Sequence, residues 1–326
     1  MKKVTKIGII GAGKNASGHA KYYAASPQAE VVAVADPYPE AARKLADEVG
    51  ARAFEDFTDM LDQVDAVVVS SPNQFHRDQA VICAEAGKHV YCEKPMGINY
   101  AEAQAIAAAV RSARVKCAIG FSVSSSPVIR TLQKQIDAGN YGKLIGILSR
   151  RLMNLGHAVQ TGWRADHRTT GGLLYEINIH EIEWMMRLGG TVESVFARFV
   201  AEGQDDPIAN DHLAITLNFS SGAFGMHHGS QLTALPDMSK SVEGTHGSFA
   251  TNQWSNELRF ARRGSKEPEV LALEPQLDVR ENFLNGIQED TPLFNDFEWG
   301  LRVMAVGEAI CRSAAGKRVV EINEIK

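Results

Sequence analysis

Gly11-Ala12-Gly13-Lys14-Asn15-Ala16 has the spacing G-x-G-x-x-A and directly follows the apolar run Val4–Ile10. The first glycine permits a tight turn and the second lets a pyrophosphate approach the backbone. The small Ala16 lets the helix opened by Lys14 and Asn15 pack on the strand, with its N-terminus facing the phosphates. Asp36 ends the next apolar run, Val31–Ala35, where a carboxylate accepts hydrogen bonds from ribose hydroxyls. Pro37-Tyr38 follow it, with no adjacent Arg to neutralise a 2′-phosphate. Like charges ~4 Å apart repel by roughly 4 kcal/mol at an effective dielectric of ~20, and a third of that is about tenfold in affinity. NAD is therefore expected over NADP.

Lys94, in Glu93-Lys94-Pro95, lies at the end of an apolar run, the edge at which open parallel sheets bind ligands. An ammonium there can hold a hydroxyl or carbonyl oxygen and stabilise alkoxide charge; a solvated loop lysine has the same sequence appearance. Glu176 and His180 are spaced i, i+4 and share a helical face with Glu183 and Arg187. That face suits acid–base chemistry and a surface ion pair, Glu183 with Arg187, equally well. Trp163-Arg164 sets an aromatic face beside a guanidinium, which suits a sugar ring, although a loop Trp can also plug an interface. His227-His228 and Asp211-His212 are metal-ligating types, but adjacent strand histidines point to opposite faces, so no metal is expected.

These groups need a scaffold. Val4–Ile10, Val31–Ala35, Ala66–Ser70, His89–Glu93 and Val115–Phe121 read as strands alternating with helical patterns. The helix from Pro39 stops at Gly50, and Asn99-Tyr100-Ala101-Glu102 reads as a capping box. Nearly continuous apolar strands separated by helices mean a parallel sheet covered on both faces. The rhythm changes at Ser122-Val123-Ser124-Ser125-Ser126-Pro127, which places domains at 1–122 and 123–326, the C-terminal helix being free to pack back on the first. Beyond it, a long strand begins at Leu144 and a helix spans Leu173 to Leu188. Strands follow at Val192–Ala201, His212–Phe219, Ala223–Ser230 and Phe249–Trp254. Consecutive strands with a Ser221-Gly222 hairpin signal predict a mostly antiparallel sheet. Val192–Ala201 is apolar on both faces, with Val192, Phe196 and Val200 on one and Val195, Ala197 and Phe199 on the other. A second subunit is expected to cover the outer face, giving a dimer or tetramer.

Composition narrows the class. With 326 residues, 44% hydrophobic and 22% charged, the chain suits two globular domains and excludes intrinsic disorder. A net charge of -5 leaves no broad basic footprint for nucleic acid or an anionic membrane. No apolar stretch approaches the ~20 residues that span a bilayer, and the segment after Met1-Lys2-Lys3 is too short and glycine-rich for a secretion signal. Cys83, Cys92, Cys117 and Cys311 have neither metal-site spacing nor the density of a disulfide scaffold, so a reduced, cytoplasmic protein is expected.

Gly11-x-Gly13, Asp36, Ser71-Pro72-Asn73 with His76, and Ala86-Gly87-Lys88-His89-Val90-x-x-Glu93-Lys94-Pro95 together resemble the glucose–fructose oxidoreductase / inositol dehydrogenase / MocA family. The likeness continues through Gly171-Gly172 to His180, through Glu243-Gly244-Thr245-x-Gly247-Ser248, and to Ser313 and Gly316. It implies an α/β chain: an N-terminal Rossmann domain with a doubly wound parallel sheet, and a C-terminal α/β domain on an open, mostly antiparallel sheet. It also implies NAD(P)-linked oxidoreduction of sugars or cyclitols. Ser71, Pro72, Asn73, His76, Glu93 and Lys94 then join Gly11, Ala12, Gly13, Lys14, Asn15 and Asp36 as cofactor contacts. The family's catalytic Lys falls on Lys94, and its D-x-x-x-H motif on Glu176 and His180, a departure because the family has Asp where this chain has Glu. Substrate contacts are expected from Trp163, Arg164, Lys94, Glu176 and His180.

The expected activity is hydride transfer between a secondary hydroxyl of a sugar, cyclitol or polyol and NAD, with His180 as base and Lys94 holding the oxygen. Two alternatives stay open: an NAD-dependent glycosidase acting through a transient ketone, and a non-enzymatic cofactor-sensing regulator. A sensor needs neither Lys94 nor His180.

Overall fold

The computed structural model describes residues 4–155, 162–201, 211–252 and 257–325. The chain forms two compact units. One runs to Gly120 and takes up Asp278–Leu301; the other holds Phe121–Leu277 and the segment from Arg302 onward.

The first unit alternates β1 (Thr5–Ile10), α1 (Lys14–Ala25), β2 (Ala29–Ala35), α2 (Pro39–Val49), β3 (Arg52–Phe54), β4 (Ala66–Val69), α3 (His76–Glu85), β5 (His89–Cys92), α4 (Tyr100–Ala113) and β6 (Cys117–Ile119). The six strands are parallel in the order β3-β2-β1-β4-β5-β6, so the direction of winding reverses between β1 and β4. Ile7, Ile9, Val67, Val68 and Val90 are fully buried, which is what continuous apolar strands between two helical layers require. Gly50 ends α2 in the left-handed conformation, as expected. The capping box at α4 differs by one residue. Asn99 accepts from Glu102 N–H at 3.0 Å, but the Glu102 carboxylate reaches Ile98 N–H at 2.9 Å rather than Asn99's own.

Segment 278–301 lies beyond the expected boundary at 122 and belongs to this unit by its own bonds. Asn295 O accepts from Ile119 N–H, Arg111 pairs with Glu298, and Gln288 donates to Thr5 Oγ1 and Gln28 O. Its helix, Val279–Glu289, escaped the sequence reading.

The second unit contains α5 (Pro127–Asp137), β7 (Leu144–Asn154), α6 (His167–Thr170), α7 (Ile179–Gly189), β8 (Val192–Val200), β9 (His212–Phe219) and β10 (Phe224–Ser230). Then come β11 (Leu232–Asp237), β12 (Ser239–Gly244), β13 (Gly247–Asn252), β14 (Leu258–Arg262), β15 (Glu269–Leu271) and β16 (Val320–Glu321). The sheet order is β15-β14-β13-β12-β7-β10-β9-β8-β16, with β11 also on β7. It is antiparallel except where β10 lies parallel to β7. Strands β11, β12, β14 and β15 were not expected. Part of the expected strand at Phe249–Trp254 lies outside the described residues. No helix among the described residues is long and apolar enough to cross a membrane.

Two features of α7 depart from the sequence reading. The expected single helix from Leu173 to Leu188 begins with a π turn at Leu174–Asn178, so α7 proper starts at Ile179. The wider turn breaks the simple i, i+4 register between Glu176 and His180. Glu183 and Arg187 do pair, at 2.8 Å, but the Glu183 side chain is fully buried and the pair is no surface bridge.

Glu181 is buried as well. Its carboxylate accepts from Ser149 Oγ at 2.7 Å and Trp184 Nε1 at 2.5 Å, with Arg151 Nη1 at 3.1 Å and Lys240 Nζ at 3.3 Å. Burial opposes its charge, yet Lys240, Arg151 and His227 hold the carboxyl well below the usual carboxylate range. His227 Nε2 donates to Asn178 Oδ1 at 2.8 Å, and burial pushes the ring's pKa down to about 4 from 6.5. Between those values an unfolded chain takes up a proton that the folded one refuses. His227 thus supports the fold fully above about pH 6.5, and that support fades as pH falls toward about 4. The melting temperature should drop as pH is lowered through this window. His227→Gln keeps a donor for Asn178 without titrating, and calorimetry across pH should find a shallower slope in this variant. Equal slopes would contradict the assignment.

Candidate functional site

Strand β1 ends in the turn that the glycines dictate. Gly11 has φ +98°, and a Cβ there would lie 2.8 Å from Ser70 O, so a side chain is excluded both by strain and by the neighbouring backbone. A Cβ on Gly13 would meet nothing within 4 Å; its open side faces free space. Gly13 is also the N-cap of α1 and brings no side chain to the first amides, and no acidic residue occupies the first turn. Amides left in this way suit an anion. Lys14 and Asn15 are exposed at this helix start.

Asp36, at the end of β2, closes one side of the turn. Its Oδ2 accepts from Ala12 N–H at 2.8 Å and its Oδ1 from Tyr38 N–H at 2.9 Å. A carboxylate has about four acceptor sites, so two ribose hydroxyls can still be accommodated. The turn and Asp36 therefore fit an adenine dinucleotide: open backbone amides for the pyrophosphate and a partly exposed carboxylate for the ribose.

The loops after β4 and β5 end on the same sheet edge, because parallel strands all finish on one side. Ser71 Oγ donates to Gln79 Oε1 at 2.6 Å, Pro72 is partly exposed and Asn73 is buried. His76, expected to touch the cofactor, is instead 1% exposed. Its Nδ1 lies 2.8 Å from Pro95 O and its Nε2 2.9 Å from Ser71 O. Both partners are acceptors, so the ring donates from both nitrogens when protonated and from one when neutral. Burial sets its pKa below the ordinary histidine value, against the pull of the two carbonyls and Glu93.

Glu93 accepts from His19 Nε2 at 2.7 Å. Burial works against its charge, but His19, Lys94 and His76 together keep the carboxyl below its usual pKa. The following residue, Lys94, is partly exposed. His19 escaped the sequence reading; its place on the glycine-turn helix, opposite the strand that ends in Glu93, was the available signal.

In the second unit, Arg164 Nε donates to Glu176 Oε1 at 2.9 Å, and the Arg164 guanidinium lies 4.3 Å from the centre of the Trp163 ring. The structure thus joins three of the expected substrate residues into one cluster. Glu176 is 14% exposed and His180 is buried at 9%, its ring edge-on to Phe121 at 6.1 Å. His227 is buried and His228 exposed, on opposite strand faces, and among the described residues no three His, Cys, Asp or Glu converge as metal ligands. Asp211 instead accepts from Gln231 at 3.0 Å.

Comparison with known proteins places this geometry in a family. Residues 5–121 match the oxidoreductase family with an NAD-binding Rossmann fold, and residues 133–322 match that family's C-terminal α/β domain. Inositol 2-dehydrogenase of Rhizobium meliloti is 26% identical, over 97% of this chain and 99% of its own length. A levoglucosan dehydrogenase solved in complex with NADH superposes with a TM-score of 0.88 at 22% identity, covering 98% of this chain and 99% of that one. An oxidoreductase of Desulfitobacterium hafniense described as NADPH-dependent superposes with a TM-score of 0.91 at 23% identity, over 99% of each chain. With both of its characteristic domains present and the glycine turn, Asp36 and Glu93-Lys94-Pro95 in place, the chain belongs to the glucose–fructose oxidoreductase / inositol dehydrogenase / MocA family of NAD-binding oxidoreductases.

Proposed function

We propose that this chain is an NAD-dependent dehydrogenase that oxidises a secondary hydroxyl of a sugar, cyclitol or related polyol. The observation that carries this reading is the near full-length similarity to an inositol 2-dehydrogenase in a chain that has Lys94 and His180 at the family's motif positions, with Glu176 in place of its Asp. When bound, the dinucleotide supplies the hydride acceptor. Lys94 is proposed to donate a hydrogen bond to the substrate hydroxyl oxygen and to stabilise its charge as the proton leaves. His180 takes that proton. Glu176, already engaged by Arg164, holds the Trp163–Arg164 segment and offers its remaining acceptor sites to a neighbouring hydroxyl. In the reverse direction the same groups serve a ketone reductase.

A panel of sugars, cyclitols and sugar acids, read by NADH formation, tests the activity; no turnover across the panel would refute it. On the best substrate, His180→Ala should lower kcat by roughly 10²–10⁴-fold. Lys94→Ala should lower it by about 10²–10³-fold, with less than additive loss in the double variant. NADH affinity should stay near that of the parent in His180→Ala. A kcat near the parent's in that variant would remove His180 from the mechanism.

The proposed preference for NAD rests on Asp36, whose carboxylate would face a 2′-phosphate. Fluorescence titration should find NAD bound at least about tenfold tighter than NADP, and Asp36→Ala should narrow the gap. Equal affinities in the parent protein would contradict the preference.

We also propose that a second copy covers the sheet face turned away from α7. Phe196, Thr216, Met226 and Leu148 form one cross-strand row there, and Phe196 and Met226 are 38% and 49% exposed. Val200, on the same face, is 55% exposed. An apolar row of this kind is stable in water when another subunit covers it. Light scattering should find a dimer or tetramer that Phe196→Glu with Met226→Glu dissociates; a monomer at micromolar concentration would contradict this.

A further inference from the structure

One buried imidazole spans the two loops to which the proposed chemistry assigns its work. His76 is the first residue of α3, and its ring lies between Pro95 O at 2.8 Å and Ser71 O at 2.9 Å. Pro95 is the neighbour of Lys94 and Ser71 opens the Ser71-Pro72-Asn73 turn, so each ring nitrogen addresses a different loop. Each loop also has bonds of its own: Gln79 accepts from Ser71 Oγ, His19 donates to Glu93, and Glu93 N–H donates to Val69 O where the two strands end.

We propose that His76 is a positioning residue: it braces the loop after β4 to the loop after β5, and so sets the backbone that carries Lys94 relative to the Ser71–Asn73 turn. The inference rests on the dehydrogenase reading for what each loop does, but the brace itself is a property of the first unit. A ring with 1% exposure and both nitrogens on backbone carbonyls has no edge left for a ligand, so its influence on catalysis passes through the loops. The protonated ring donates to both carbonyls at once and the neutral ring to one of them, so the two limbs coexist on the acid side of the ring's pKa, where each has its own consequence. Loss of the Pro95 limb loosens Lys94 and lowers kcat; loss of the Ser71 limb loosens the turn and weakens dinucleotide binding.

The two limbs can be cut separately. An Asn amide nitrogen reaches the place of Nδ1, and a Gln amide nitrogen reaches that of Nε2. His76→Asn should therefore keep kcat within about threefold and weaken NADH binding by about tenfold, while His76→Gln should do the reverse. Hydrogen exchange on the same variants, without substrate, should show faster opening of residues 70–75 in the Asn variant and of residues 93–98 in the Gln variant. In the unmodified protein, at a pH acid enough to protonate the ring, the two segments should open at one shared rate, a measurement that needs no variant to fold. Parallel loss of both properties in both variants, no change in either, or independent opening of the two segments in the parent would overturn the brace. If the parent binds NADH but turns over no sugar or cyclitol, the dehydrogenase reading fails, while NADH affinity and exchange still decide the role of His76.

Discussion

Peptide N–H groups that a helix cannot satisfy internally are the constraint around which the first unit is arranged. Helix α1 starts immediately after β1, and its cap is a glycine that contributes no side-chain acceptor. Asp36 takes the Ala12 amide just before it and fixes the turn, but the helix start still presents its positive end to open space. Because the winding reverses between β1 and β4, the elements on either side diverge there and leave room above that end. Parallel strands bring the loops after β2, β4 and β5 to the same edge. Asp36, the Ser71–Asn73 turn and Lys94 thus share one end of the sheet without being close in sequence.

The second unit meets a different constraint, the cost of buried charge. Glu181 and Glu183 are both fully buried on α7, the helix that carries His180. Removing one partner from a buried pair costs about 3–5 kcal/mol, so Arg151 on β7 and Lys240 on β12 hold the helix to the sheet through Glu181, while Arg187 neutralises Glu183 within the helix. The π turn before α7 is tied down as well, through Asn178 to His227 on β10. His180 therefore sits on an element located by charges at adjacent positions, and Glu176 sits on the turn that leads into it. The two buried carboxylates thus follow Glu176 by five and seven residues and belong to the framework of the helix.

Much of this was legible in the sequence where one residue type has one physical use. The glycine turn, the parallel strands, Asp36 after β2 and Gly50 at the end of α2 follow from φ requirements and apolar periodicity, and all are found as expected. The reading failed where tertiary partners decide. Helical periodicity cannot reveal a π turn here, since Leu174–Asn178 is a single turn and too short to display the shift in register it causes. Nor can it distinguish Glu183 paired at the surface from Glu183 paired in the interior. His76 was expected at the cofactor only because the family resemblance includes it; nothing in the sequence shows that its ring lies between two backbone carbonyls. Strands β12, β14 and β15 were missed because each is short and is made a strand by its neighbours: β12 pairs with β7 and β13, β14 with β13, and β15 with β14.

The central claim is direct hydride transfer from a carbinol carbon of the substrate to the dinucleotide. It is tested most directly by turning over the best sugar or cyclitol deuterated at the oxidised carbon and analysing the reduced cofactor by mass spectrometry. The account predicts one deuterium per NADH formed and a slower rate than with the protiated substrate. NADH without deuterium, or substrate consumed with no net NADH, would contradict it.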